Sequence, residues 1–318
     1  MNSSRLASCI AEAANFLDEK QIYNGEFQSY LANNEAMQGR AALVDSCTFV
    51  TSCILYSLGF LDDPAFAAMK RTAFRYLTEQ MRPPGIWKYF SLGYPTQVDA
   101  DLDDTACASF LLKDMHPDIK AGRNLDIILG NTNEDGLFFT WLRRKGEPND
   151  VDSVVNANVL LYLGDRDETK VVSNYLNSVI ADHREPESYY YYLDDIALYY
   201  AVSRAYFNGV TSLETAKDHI ISRIAGRQRG DGSVGNELLT ALAVCSLLNY
   251  SCDDMTALSS GIESLMDTQR SDGSWLRRAY YAGPPSPGPC AAWFGSEELT
   301  TGFCVEALVR FQALAGLK

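Results

Sequence analysis

Two kinds of apolar pattern alternate along the chain and predict two kinds of helix. Segments such as CTFVTSCILYSL (47–58) and LLTALAVCSLL (238–248) are apolar nearly all round, which is typical of buried helices. Segments such as DPAFAAMKRTAFRYLTEQ (63–80) and TALSSGIESLMDTQR (256–270) have one apolar face and one polar face, which is typical of helices at a surface. Strand-like alternation is scarce. The pattern therefore predicts an all-α protein with inner and outer helices.

A recurring turn divides the chain into six units. The turn has a glycine with an aromatic residue two positions later, as in Gly25-Glu26-Phe27, Gly85-Ile86-Trp87, Gly136-Leu137-Phe138 and Gly273-Ser274-Trp275. Weaker unit starts occur at Ser188 and Gly232. Each unit has room for one inner and one outer helix. Six such hairpins closing on themselves predict a single (α/α)6 barrel domain over residues 1–318.

Polar or acidic residues stand near the start of each predicted inner helix. If all inner helices run the same way, these residues surround one mouth of the barrel. Because helix N-termini stabilise carboxylates, Asp45, Asp152 and Glu298 are interpreted as N-caps. The second unit does not fit this interpretation, since VDADLDDTACASF (98–110) brings several carboxylates together, more than a cap requires.

Composition narrows the functional classes. The formal net charge of −14 argues against nucleic acid or an anionic membrane surface as a partner. The eight cysteines form no CxxC pair, no signal peptide is recognisable, and no apolar run is long enough to span a bilayer. These features predict a cytoplasmic protein with reduced thiols and no integral membrane segment.

Two motifs resemble those of class II terpene cyclases, the squalene–hopene cyclase group. Asp101-Leu102-Asp103-Asp104-Thr105-Ala106 matches the DxDDTA motif, and Gln269 to Trp275 matches the QxxxGxW repeat known as the QW motif. The resemblance, here to the single-domain type, implies a helical barrel around an apolar pocket that binds a hydrophobic isoprenoid. It implies that a protonated aspartic acid starts a carbocation cascade without a cofactor, and that Mg²⁺ is needed only for a diphosphate substrate.

The resemblance also implies roles for individual residues. Asp103 is the proton donor, and Asp101 and Asp104 support it. Hopene cyclases hold the donor with a histidine, whereas this chain has Asn158 at the position that looks equivalent. A neutral amide can orient the acid but cannot lend it a positive charge.

The chemistry itself requires a buried acid and stabilised cations. Burial and neighbouring like charges raise a carboxyl pKa, and aromatic faces stabilise carbocations. Aromatic residues are dense in the segments that precede the inner helices. The substrate-binding candidates among them are Trp87, Phe139, Trp141, Tyr191, Trp293 and Phe294, whereas Trp275 is interpreted as structural. The Pro- and Gly-rich segment 280–296 is a candidate lid.

Other functions remain open alternatives. A non-catalytic helical-toroid binding module would have a solvated acid cluster and no enclosed apolar cavity. A carboxylate-dependent (α/α)6 glycan-active enzyme would also place acids and aromatic residues at a barrel mouth. A zinc site is not expected, because none of His116, His183 and His219 starts an inner helix. Cations that could bind an anionic head group are Arg143, Arg144, Lys145, Arg277 and Arg278.

Overall fold

The computed structural model describes residues 3–37, 43–283 and 292–317. Within them, helices account for most of the regular structure, joined by short 3₁₀ turns. The helices are α1 (Ser3–Lys20), α2 (Thr48–Leu58), α3 (Ala67–Gln80), α4 (Leu102–Leu112), α5 (Pro117–Lys120), α6 (Leu125–Leu129), α7 (Ser153–Leu163), α8 (Lys170–Ala181), α9 (Asp195–Phe207), α10 (Lys217–Arg227), α11 (Glu237–Asn249), α12 (Met255–Thr268) and α13 (Glu297–Leu314).

The inner helices form a closed ring. Helix α2 packs against α4, α4 against α7, α7 against α9, α9 against α11, α11 against α13, and α13 returns to α2. The other long helices lie outside this ring; α1 packs on α13, α3 on α2 and α8 on α7. The predicted (α/α)6 barrel is therefore confirmed.

Burial follows the predicted division into inner and outer helices. Every residue of α2 is buried, and α11 is buried along nearly its whole length. In the outer helix α3 only Met69, Ala73, Tyr76 and Leu77 are buried, one stripe along an otherwise polar helix. The outer layer of the second unit is less regular, because two short helices, α5 and α6, take the place of one long one.

The QW motif fastens a turn to its neighbouring outer helix. The Gln269 side-chain amide donates to the carbonyls of Cys9 in α1 and of Gly273, at 2.9 and 3.0 Å. The indole of Trp275 is fully buried and donates to the Leu265 carbonyl at 2.9 Å. A Cβ on Gly273 would lie 2.3 Å from the Glu12 carbonyl oxygen, and its φ is +83°, so only glycine fits this turn. Trp275 has the structural role that the sequence indicates.

A small sheet, which the sequence pattern does not predict, joins the first and last units. The described residues form β1 (Ser29–Ala32), β2 (Leu43–Asp45), β3 (Tyr281–Ala282) and β4 (Trp293–Gly295), in the antiparallel order β2-β1-β4-β3. Of the candidate lid 280–296, residues 284–291 lie outside the described residues, and its two ends are β3 and β4.

No helix within the described residues is long and apolar enough to cross a membrane.

Candidate active site

A cavity of about 290 Å³ lies at the end of the barrel where the inner helices begin. Its volume is at the lower end of the range for small-molecule sites, roughly 300–1,000 Å³. The walls are mainly aromatic and aliphatic, and the three acids of the DxDD motif are the only charged groups among the described lining residues. The lining residues are Phe49, Tyr89, Phe90, Thr96, Val98, Asp101, Asp103, Asp104, Thr140, Trp141, Val155, Tyr191, Tyr192, Tyr281, Ala282, Gly283 and Phe294.

The start of α4 brings the three acids together. Asp101 is the N-cap, with extended backbone, and its Oδ1 accepts the backbone N–H of Asp104 at 2.8 Å. Capping by Asp101 sets the next two acids in the first helical turn, where the helix dipole favours negative charge. Asp101 and Asp104 are buried, and Thr48 of α2 donates a short hydrogen bond to Asp104. Asp103 is only partly buried and lines the cavity.

Two donors hold the Asp103 carboxyl. The phenol of Tyr192 donates to Oδ2 at 2.5 Å, and the side-chain amide of Asn158 in α7 donates to Oδ1 at 2.5 Å. Each carboxyl oxygen has a second lone pair, so a proton can still be carried on the cavity side. The predicted contact between Asn158 and Asp103 is present.

Behind Asn158 lies a buried arginine that the sequence analysis missed. Arg204 of α9 donates to the Asn158 Oδ1 at 2.6 Å. Because a guanidinium has donors only, this bond fixes the amide so that its NH₂ faces Asp103. The charge that Asn158 itself cannot supply therefore comes from Arg204, one residue farther away. A single arginine in the second half of the largely apolar and buried helix DIALYYAVSRAYF is the signal that could have revealed it.

Burial raises the pKa of all three acids of the motif. Repulsion from Asp104 raises the pKa of Asp101 further, and repulsion from Asp103 helps to raise that of Asp104 to about 7. For Asp103 itself, Tyr192, Asn158 and Arg204 oppose the effect of burial by stabilising the anion. The cluster can thus hold protons at neutral pH, while three polar or charged neighbours stabilise the conjugate base of Asp103.

Three of the six aromatic candidates line the cavity: Trp141, Tyr191 and Phe294. They are also connected, since the Trp141 indole donates to the Tyr191 phenol at 2.8 Å. Trp87, Phe139 and Trp293 are not among the lining residues. The Trp87 indole is fully buried and donates to the Leu77 carbonyl at 2.8 Å, an arrangement like that of Trp275.

Local backbone geometry explains why the other two aromatic candidates, Trp293 and Phe139, do not line the cavity. Trp293 precedes Phe294 in β4, and successive residues of a strand point to opposite faces, so only one of them faces the cavity. Phe139 is tied by its N–H to the Asn131 carbonyl at 3.0 Å, while Thr140 and Trp141, which follow it, reach the cavity.

Several lining aromatics lie outside the predicted set. Phe49 is the second residue of α2, as Asp103 is the second residue of α4, and this equivalent position was the available signal. Tyr89, Tyr192 and Tyr281 lie in the aromatic-rich segments that precede inner helices, but their orientation depends on backbone bridges such as the one between Tyr192 and Tyr281.

Only one of the three predicted caps is a cap. Asp152 accepts the backbone N–H groups of Val154 and Val155 at 2.8 and 3.2 Å. The interpretation is wrong for Asp45, which ends β2 while Cys47 is the N-cap of α2. It is also wrong for Glu298, which lies inside α13 after the N-cap Ser296. Ser46 separates Asp45 from the N-cap of α2, whereas α13 has already begun at Glu297, so neither acid stands at the capping position.

Three of the candidate head-group cations form ion pairs with acidic side chains that do not line the cavity. Arg277 pairs with Glu297 at 2.9 Å, Arg278 with Glu237 at 2.8 Å, and Arg143 with Asp99 at 2.8 Å. His116 caps α5, with its ring accepting the Asp118 N–H at 3.3 Å. Within residues 3–37, 43–283 and 292–317, no group of three or more His, Cys, Asp or Glu side chains could hold a metal ion.

The segment 65–164 matches the family model of the sesquiterpene cyclase AstC-like C-terminal domain. This segment is about a third of the chain and includes the acid cluster and Asn158. A comparison with curated protein sequences finds no match.

Solved structures match over the whole chain. The type II terpene cyclase MstE from Scytonema superposes with a TM-score of 0.74 at 20% identity, covering 100% of each chain. The chain has the fold of a type II terpene cyclase. A single-residue variant of MstE has also been solved with the substrate geranylgeranyl dihydroxybenzoate (TM-score 0.70, 19% identity, 97% of each chain).

Structures with lower TM-scores show that this fold does not by itself determine the reaction. The ent-copalyl diphosphate synthase from Streptomyces platensis has a TM-score of 0.59 at 17% identity, over 83% of this chain and 50% of that one. Cellobiose 2-epimerase from Bacillus thermoamylovorans has a TM-score of 0.61 at 13% identity, over 96% and 99%. Because a sugar epimerase shares the barrel, the function has to be argued from the site.

Proposed function

We propose that this protein is a class II isoprenoid cyclase that protonates a linear polyprenyl chain and closes it into a polycyclic product. The observation that carries the proposal is the setting of Asp103. Its carboxyl faces an aromatic cavity, is held by Tyr192 and Asn158, and stands beside two buried acids, Asp101 and Asp104.

The first step is proton transfer from Asp103 to the terminal double bond or epoxide of the substrate. The π electrons of the alkene form the new C–H bond, and the carboxylate left behind is stabilised by the hydrogen bonds from Tyr192 and Asn158. An alkene is a very weak base, so every stabilisation of the conjugate base lowers the barrier. Arg204 contributes to the stabilisation of this carboxylate through its hydrogen bond to Asn158.

The cavity then has to protect a carbocation. Aromatic rings such as Phe49, Tyr281 and Phe294 line it and stabilise positive charge by cation–π attraction, about 2 kcal/mol or more when desolvated. The carboxylate of Asp103 and its acidic neighbours attract the first cation. The apolar walls limit the number of water molecules that could capture it.

The substrate class is proposed from the site and its relatives together. A polyprenyl chain with an aromatic head is the first candidate, since the MstE substrate has this form. A prenyl diphosphate is the second, and only this substrate would call for Mg²⁺; otherwise the chemistry of Asp103 needs no cofactor. We also propose a cytoplasmic location, which the free cysteines among the described residues support.

A sugar-isomerising or glycan-cleaving role is less well supported. Such a site needs polar side chains around the substrate hydroxyls, whereas the described lining is dominated by aromatic and aliphatic groups. A binding module without activity would not require the raised pKa values of three adjacent acids.

The test is direct incubation of the purified protein with candidate substrates. Geranylgeranyl dihydroxybenzoate, geranylgeranyl diphosphate with Mg²⁺, squalene and cellobiose are supplied separately, and products are identified by mass spectrometry and NMR. We expect a cyclised isomer of at least one isoprenoid and no change in cellobiose. Asp103→Asn should reduce turnover by at least about 10²–10⁴-fold, the usual contribution of a general acid.

Asp99→Asn is the matched control, because Asp99 is an acid just outside the motif, half-exposed and paired with Arg143. It should retain wild-type turnover. Wild-type turnover by Asp103→Asn would exclude the proposed mechanism.

A further inference from the structure

Asp45 is a buried acid that the mechanism above does not use. It is 2% exposed, ends β2 and does not cap α2. Its Oδ2 accepts a hydrogen bond from the phenol of Tyr89 at 2.8 Å. The Tyr89 oxygen is in turn 2.9 Å from the phenol oxygen of Tyr281. Tyr89 and Tyr281 both line the cavity, so a carboxylate is connected to it through two phenols.

The direction of these hydrogen bonds follows from the number of protons. A phenol has one hydrogen, and Tyr89 donates it to Asp45. In the bond between the two phenols, Tyr281 must therefore be the donor. The Tyr281 oxygen keeps its lone pairs as acceptors. Its other neighbours, the Ser29 hydroxyl at 3.5 Å and the Cys47 thiol at 3.9 Å, are at the limit of hydrogen-bonding distance.

Packing fixes the acceptor oxygen in place. The Tyr281 ring stacks on Phe294 with 5.4 Å between centroids and meets the edge of Phe49 at 5.3 Å. Phe49 also contacts Tyr192, the phenol that binds Asp103, at 6.4 Å. The ring of Phe49 thus contacts both Tyr281 and the phenol that binds the proton donor, and Asp103 and Tyr281 line the same cavity.

We infer that Tyr281, Tyr89 and Asp45 form the proton acceptor that ends the cyclisation cascade; this inference rests on the proposed function. The C–H bond next to the final cationic carbon breaks, and its electron pair becomes the double bond of the product. The proton goes to the Tyr281 oxygen, the Tyr281 hydroxyl proton moves to Tyr89, and the Tyr89 proton moves to Asp45 Oδ2. One proton is transferred in total, both phenols end neutral, and Asp45 ends as a carboxylic acid.

Such a weak base is sufficient because a C–H bond next to a carbocation is strongly acidic. What the relay contributes is position, since an oxygen held at one place removes one particular hydrogen. Without it, the cation is open to capture by water or to loss of a different proton. The relay should therefore control which product forms rather than how fast the substrate is consumed.

The test compares products from Tyr281→Phe and Asp45→Asn with those of the wild type, using whichever isoprenoid the wild type accepts. Both variants keep the shape of the side chain and remove a proton acceptor. We expect the ratio of the wild-type alkene to alcohols and other alkene isomers to fall by about tenfold or more in both variants, since a positioned base typically contributes about 10²–10⁴-fold.

Tyr250→Phe is the control, because it removes another buried phenol, bonded to the Leu213 carbonyl at 3.2 Å near the opposite end of α11 from the cavity. It should keep the wild-type product ratio. Circular dichroism melting shows whether each variant is folded, and the product ratio of any residual activity is informative even for a destabilised variant.

These experiments distinguish a failure of the proposed relay from a failure of the proposed function. A wild-type ratio from both Tyr281→Phe and Asp45→Asn would overturn the relay and leave the cyclase proposal intact. A wild-type protein that converts no isoprenoid would overturn the proposed function and the relay with it.

Discussion

Arg204 shows how a charge can act on the acid without touching it. It hydrogen-bonds to Asn158 and to the thiol of Cys107, and its Nε has no partner. The guanidinium also lies over the rings of Tyr56 and Tyr200, 5.1 Å from each centroid. A buried cation is unfavourable unless a negative charge is near. Through Asn158, the negative charge available is the carboxylate of Asp103, which the proposed mechanism forms when the acid gives up its proton.

Replacing Arg204 should therefore weaken the acid. Arg204 lowers the pKa of Asp103, so in Arg204→Gln that pKa rises. In the proposed mechanism, activity requires protonated Asp103 and is lost as pH rises through its pKa. The high-pH limb of the kcat profile should accordingly move to higher pH, while the maximal kcat falls by about tenfold because a weaker acid protonates an alkene more slowly.

Arg204→Lys is the informative comparison, since it keeps the positive charge and should keep the limb nearer its wild-type position. An unchanged pH profile for Arg204→Gln would show that the arginine is only structural.

A residue such as Arg204 is difficult to identify from sequence. Asp103 and Asn158 follow from a motif and an equivalent helix position, whereas the contact of Arg204 depends on how α9 faces α7.

At the scale of elements, the turns of the QW motif connect the outer layer. Gly273→Ala would place a methyl group 2.3 Å from the Glu12 carbonyl oxygen and force alanine to a φ of +83°. We expect a loss of about 2–4 kcal/mol in the free energy of unfolding, measured by urea denaturation. Gly146→Ala is the matched control, since Gly146 has a φ of +91° and no atom within 4 Å of the added Cβ. Equal losses for the two variants would exclude the close contact as the cause.

The elements differ in how far the sequence predicts them. The inner helices follow from apolar runs, since α2 and α11 are buried along nearly their whole length. The sheet does not, because its strands have two to four residues and β1 pairs with β4 from the other end of the chain. So short a strand has no periodicity to detect. Yet this sheet brings Tyr281 and Phe294 to the cavity, while Trp293 is not among the lining residues, which explains why Tyr281 was missed and Trp293 was misplaced.

At the scale of the whole molecule, closure of the ring gathers the inner-helix N-termini, and with them many acids, at one end. Asp45, Asp101, Asp104 and Glu298 are all buried there, and burial raises the pKa of each. Where the folded-state pKa of an acid exceeds the unfolded value, the folded state binds more protons between the two values. Stability is then greatest at low pH and declines as pH rises through the folded-state pKa. An active site of this kind makes the fold less stable in alkaline solution.

Glu298 allows the loss of stability on ionisation of a buried acid to be measured outside the DxDD acid cluster. Burial raises its pKa from 4.5 to about 7, and its Oε2 is buried without a partner. In the wild type the stabilisation is present below pH 4.5 and is lost as pH rises through 7. Glu298→Gln cannot ionise, so it should match the wild type near pH 5 and exceed it at pH 8.5 by about 1–3 kcal/mol in urea unfolding. Glu297→Gln, which breaks the pair with Arg277, should give no gain at either pH. A gain for Glu298→Gln that is the same at both pH values would mean that packing, rather than an unpaired buried charge, distinguishes the two side chains.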